Sequence, residues 1–144
     1  MPDLSNWPMS RLLSTAARLV EYAWDESLAS LNLTHAGVIV LEVLAAEGEM
    51  TQSRLADRVR VEAQTMGKTV ARLEACGHVA RARSEADRRQ QLVSVSEQGV
   101  LALEKAARLE HLLIGDDRQR AALKAQLSDI IRNTGNKRFR PSAP

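Results

Sequence analysis

At 144 residues the chain fits one domain, or one domain with a helical extension. Hydrophobic residues make up 44% of it and aromatics only 3%, so Ala, Leu and Val fill the interior and closely packed helices are favoured over a thick sandwich core. No apolar run approaches the length of a bilayer span, the opening residues lack the basic and apolar stretches of a secretion signal, and a lone Cys76 forms no internal disulfide; together these predict a cytoplasmic protein with no membrane partner.

The net charge of +2 hides an uneven distribution. Residues 1–50 carry two Lys/Arg against seven Asp/Glu, a net of −5. Residues 51–89 carry nine against five, a net of +4, and residues 90–144 carry nine against six, with Lys137, Arg138 and Arg140 near the end. A basic middle beside an acidic first third suits a polyanion-binding surface, although scattered solvated charges give similar totals.

From about Met9 to Ser30, Leu12, Ala16, Leu19, Ala23 and Leu28 recur at helical spacing, with Val20 and Trp24 widening the stripe. A second helix is predicted over Thr34 to Ala46, burying Val38, Leu41 and Leu44/Ala45 and stopping at Gly48. A short third runs from Thr51 to Val59, and a fourth from Glu62 to Cys76, ended by Gly77. Four starts share one spacing, an apolar residue before the cap and another four positions into the helix. These are Leu33-Thr34 with Val38, Met50-Thr51 with Leu55, Val61-Glu62 with Met66, and Val95-Ser96 with Val100.

After Gly77 the period changes. Val79–Arg83 and Gln91–Val95 have strand character around a charged loop, a β-hairpin too long for a two-residue turn. A helix returns from Glu97 to about Ile114, with Val100, Leu103, Ala107 and Ile114 on its apolar face. Gly115 breaks it, Asp116 or Asp117 caps a last helix striped with Leu123, Leu127 and Ile130/Ile131, and residues 134–144 read as a basic flexible tail. The fold class is therefore mainly α with a small β-hairpin. Residues 34–95 form a winged helix-turn-helix, and 9–33 and 96–133 form flanking helices within a single 1–144 domain. A winged helix of about 60 residues is near the lower size limit for a stable core, so the flanking helices are expected to pack against a second chain.

At about 100° per residue, Met66, Val70, Leu73 and Gly77 share one face of the fourth helix. Gln64, Lys68, Ala71 and Ala75 lie opposite, with Thr65 and Arg72 on the shoulder. Polar early positions separated by small residues suit a helix entering the major groove of DNA. Gln64 matches adenine N6 and N7, Lys68 guanine or phosphate, Thr65 and Thr69 a thymine methyl or phosphate, and Arg72 phosphate. Any solvated helix shows such residues outside, so this face points to DNA only together with the wing. There Arg81, Arg83, Arg88 and Arg89 cluster, and Asp87 stands where a bidentate pair would hold Arg89 in one rotamer for the minor groove. Gly67 implies either close approach of another backbone or tight packing on the third helix.

Asp87-Arg88-Arg89 followed by Leu92-Val93-Ser94-Val95-Ser96-Glu97-Gln98-Gly99 resembles the wing signature of the MarR (multiple antibiotic resistance regulator) family. Leu33-Thr34, Met50-Thr51 with Leu55-Ala56, and Val70-Ala71-Arg72-Leu73-Glu74 with Gly77, Val79 and Arg81 extend the likeness over roughly residues 9–133. The resemblance implies a homodimeric regulator, usually a repressor, on pseudo-palindromic promoter DNA, and in many members release by a small aromatic or anionic effector. Carried over by position, it places DNA contacts at Ser53, Gln64, Thr65, Lys68, Thr69, Arg72 and Arg89, with Asp87 orienting the last, and Arg88 of the same wing cluster completes the expected DNA-binding set.

His78 departs from the family's apolar residue and is read as a half-buried filler, and Cys76 as a small packing residue rather than a redox sensor. His35, His78 and His111 lack metal-ligand spacing, so no metal or cofactor is expected. Trp7, Tyr22 and Trp24 are candidates for lining a pocket, although single aromatics in a helix usually belong to a core. No nucleophile motif, phosphate loop or paired His/carboxylate cluster suggests an enzyme. The alternative reading is a winged-helix module that binds protein and not DNA.

Overall fold

The order of elements follows from where the caps and breakers fall, in a computed structural model that describes residues 3–138. Among those residues there are six helices and three strands. They are α1 (Met9–Leu28), a 3-10 turn (Ala29–Leu31), α2 (His35–Glu47), β1 (Met50–Thr51), α3 (Gln52–Val59), α4 (Ala63–Ala75), β2 (Val79–Arg83), β3 (Gln91–Val95), α5 (Glu97–Glu110) and α6 (Asp117–Arg138).

Three of the four predicted caps form as hydrogen bonds. The hydroxyls of Thr34, Thr51 and Ser96 accept from the backbone N–H of Gly37, Arg54 and Gly99 at 3.1, 3.2 and 3.0 Å. Glu62 stands at the start of α4 without a side-chain cap bond. Leu33, Val38, Met50, Leu55 and Met66 are all buried, as the shared spacing requires, but Val100 is exposed.

The hairpin pairs antiparallel from Val79↔Val95 to Arg83↔Gln91. β1 adds a third strand, pairing Met50↔Val93 and Thr51↔Leu92, so the sheet order is β1-β3-β2. Sequence pattern offered no sign of β1, because two residues carry no period. Val93 is fully buried at the sheet's centre and meets the core of Leu41, Leu44, Leu55, Met66 and Val70.

The flanking helices depart most from expectation. α1 buries only Trp24 and Leu28, leaving Leu19 and Val20 exposed. α5 stops at Glu110, where Leu112 and Leu113 donate to the carbonyls of Leu109 and Glu110 and tighten the chain into turns. Its buried face is Gly99, Ala102 and Ala106; of the predicted Val100–Leu103–Ala107 stripe, Leu103 packs half-buried against the core, whereas Val100 and Ala107 are exposed. Small residues let α5 lie close to the sheet corner, with Leu103 and Leu109 at the edge of the core and Val100 and Leu101 turned outward. Asp116 starts α6 by a reciprocal pair with Gln119, at 2.9 and 3.3 Å. α6 continues to Arg138, so the predicted tail from residue 134 is helical over its first residues, and 139–144 lie outside the described part. No single helix among the described residues is long and apolar enough to cross a membrane.

Candidate DNA-binding surface

α4 presents the two faces its period requires. Met66, Val70 and Leu73 are buried at 1%, 0% and 3% exposure, while Gln64, Thr65, Lys68, Ala71 and Arg72 stand exposed. Ser53, one residue inside α3, is exposed beside them. Thr69 is only half exposed, and its hydroxyl donates to the Thr65 carbonyl at 3.1 Å, so that group is already engaged. Lys68, Thr69 and Arg72 border a shallow cavity of about 200 Å³ shared with Asn32 and Thr34 at the start of α2. Gly67 meets no backbone. A Cβ there would lie 3.4 Å from Gln52 Nε2, so of the two explanations only packing on α3 has support.

The wing loop is tied internally. The Ser84 N–H donates to Gln90 O, the Gln90 N–H to Asp87 O, and the Asp87 N–H to Ser84 Oγ, at 3.0, 3.0 and 3.4 Å. Arg88 and Arg89 project from it, Arg89 with 95% of its side chain in solvent. The expected bidentate clasp does not form. Asp87 Oδ1 accepts the backbone N–H of Arg89 at 3.1 Å and lies 3.8 Å from its Nε, so it shapes the loop more than it fixes the guanidinium. A second open cavity, about 300 Å³, runs between Gln52 and Ser53 of α3 and Arg81 and Arg89 of the wing.

Arg81 differs from the other wing arginines. It binds Glu74 of α4 at 3.0 Å, bracing the wing strand against the recognition helix, and that hydrogen bond holds the Glu74 carboxyl below its usual pKa. Sequence reasoning grouped Arg81 with the wing cluster because the partner lies seven residues back on another element. The α4–β2 corner is a further feature the sequence left unassigned. Ser96 Oγ accepts from Gly99 and donates to Gly77 O at 2.5 Å, and Ser96 N–H donates to His78 O at 3.0 Å.

His78 is buried, not half-buried, and desolvation lowers its pKa. Cys76 is exposed, which corrects its reading as a packing residue; it stands at the C-cap of α4, past the last inward position Leu73. Of the aromatics, Trp24 is in the core, Tyr22 is 76% exposed, and Trp7 stacks under Arg11 at 3.6 Å.

Residues 31–90 match the model of the MarR family. An uncharacterised helix-turn-helix transcriptional regulator of Mycobacterium leprae is 34% identical over 128 residues, covering 89% of this chain and 85% of that protein. The chain belongs to the MarR family. It is a DNA-binding transcriptional regulator with a winged helix-turn-helix, and its MarR fold extends through both flanking regions. The crystal structure of MarR superposes with a TM-score of 0.80 at 26% identity, covering 96% of this chain and 97% of that one. The transcriptional repressor CouR, bound to a 23-mer DNA duplex, gives 0.78 at 25% identity over 92% and 99%.

Proposed function

We propose that this MarR-family protein is a homodimeric repressor that reads pseudo-palindromic promoter DNA. Gln64, Thr65 and Lys68 enter the major groove, Arg89 enters the flanking minor groove, and Ser53, Arg72 and Arg88 hold phosphates. The observation carrying this is the coexposure of the outer face of α4 and the Arg88–Arg89 tip, with Arg81 held back as a brace. Thr69 is a secondary contact, since its hydroxyl is already bonded, and Asp87 acts through the wing loop.

Pairing is supported by where apolar surface is left over. Among the described residues every exposed large hydrophobic lies in 4–22 or 100–131, and none in the 34–95 winged helix-turn-helix. Uncovered apolar side chains confined to the flanking helices suit a partner chain there, so 9–33 and 96–133 form the dimerisation part of one 1–144 domain, with the basic tail from 134 at its end. Release by a small effector agrees with this layout, since dimerising and DNA-reading parts share one core.

The test is a titration of duplex from the promoter of its own gene at several salt concentrations, with footprinting and transcription from that promoter in vitro. Affinity should fall steeply with salt as phosphate contacts release counterions, transcription should decrease on binding, and the footprint should span two half-sites. Absence of binding at low salt would favour the protein-interaction alternative for this member.

A further inference from the structure

Arg60 stands at the turn between α3 and α4 in the left-handed backbone region, at φ 62°, a conformation that suits glycine and strains a residue with a Cβ. Its neighbours Val59 and Val61 both pack against the core, so its backbone moves with the helix-turn-helix. Arg58 is paired with Glu47 at 2.7 Å, whereas Arg60 forms no ion pair among the described residues. Its guanidinium lies instead on α6, in the space that a Cβ at Gly135 would take, with Cζ and Nη2 3.0 and 3.1 Å from that position. Gly135 is in turn a poor choice for a helix interior, and it is set among the weak helix formers Asn133, Thr134 and Asn136. An arginine stands where glycine fits best, and a glycine where most residues would favour the helix. What both choices serve is the contact between them.

The rest of α6 agrees with a fixed seat. Its half-buried residues Arg120, Leu127, Ser128 and Gly135 fall within about 100° of one face. At the opposite end, Arg120 Nη1 donates to the Glu110 carbonyl at 3.2 Å. One arginine ties the start of α6 to the end of α5, and another holds its far end at the turn before α4. We propose that Arg60 is a positioning residue for operator recognition. By seating α6 on the α3–α4 turn it fixes the recognition helix relative to the dimerising helices, and so the separation of half-sites that the dimer accepts. The inference rests on the two-half-site reading given above. α4 begins at Ala63, directly after this turn, and in a two-fold dimer a tilt there moves both recognition helices.

The test uses the full chain and its footprinted operator, with the half-sites at their natural separation or one or two base pairs nearer or farther. Arg60→Gly keeps the left-handed turn and removes the guanidinium; Gly135→Leu fills its seat from the other side. Each should reduce discrimination between spacings by between about twofold and thirtyfold, and the double variant should lose no more than either single one. Backbone amides at 129–134 should exchange faster with solvent in both. Equal loss on every spacing, with the salt slope lowered by about 1, would make Arg60 a phosphate contact and overturn the proposal. So would unchanged amide exchange in Arg60→Gly. A footprint of one half-site overturns the dimeric reading and leaves amide exchange to decide the α6 seat; two half-sites with spacing preference intact in Arg60→Gly overturn the positioning role alone.

Discussion

Replacing Gly99 by Ala sets two effects of opposite sign against each other. Gly99 lies in the first turn of α5, and Gly to Ala inside a helix ordinarily stabilises by about 1 kcal/mol. A Cβ at Gly99, however, would sit 2.1 Å from the His78 carbonyl oxygen and 2.8 Å from Val95 Cγ2. The carbonyl cannot turn aside, because it accepts the Ser96 N–H at 3.0 Å, and Ser96 in turn caps α5. Relief therefore requires α5 to shift by about 1 Å, with overpacking strain of roughly 1–3 kcal/mol and part of a cap of about 1 kcal/mol. Clash exceeds propensity, and Gly99→Ala should destabilise by about 1–3 kcal/mol. Urea unfolding with the slope held constant reads this as a lower midpoint. A midpoint equal to or above that of the unmodified protein would refute the claim that α5 is locked onto the His78 carbonyl.

Gly67→Ala is the complement: its Cβ meets only a flexible Gln52 amide at 3.4 Å, so the same assay should show stabilisation of up to about 1 kcal/mol. Gln64→Ala should cost roughly 1–3 kcal/mol on the preferred operator and alter which core sequence is selected; uniform loss over all sequences would remove its base-reading role. Arg89→Ala should erase preference for A·T-rich flanks in a binding-site selection, whereas Arg72→Ala should weaken all duplexes alike and lower the salt slope by about 1. Leu19→Glu places a charge on the exposed face of α1 and should shift the chain towards monomer in sedimentation, with operator affinity falling alongside. For pH, burial lowers the folded pKa of His78, so the unfolded chain binds the extra proton first and stability declines as pH falls below about 6.5. Glu42, whose pKa burial raises, acts in the opposite direction at lower pH, so the readout is the difference between the protein and His78→Leu, which should lose the His78 part of the slope.

Local structure was legible wherever a residue acts on its neighbours. Thr34, Thr51 and Ser96 announce helices because a cap is a contact three residues long, and both strands of the wing hairpin follow from Val79–Arg83 and Gln91–Val95. The inward set Met66, Val70 and Leu73 likewise needs only the helical period, and that period left Gln64, Thr65 and Lys68 outside. What tertiary structure decided are the pairings between distant segments. Glu74 withdraws Arg81 from the free arginines, Met50 joins Val93 to make a third strand, and His78 accepts Ser96 and crowds Gly99. The true inner face of α5 also belongs here, since period places Val100 and Ala102 on different faces but does not say which one the core takes. Such contacts depend on how whole elements pack in space, and the period of any one element does not contain that information.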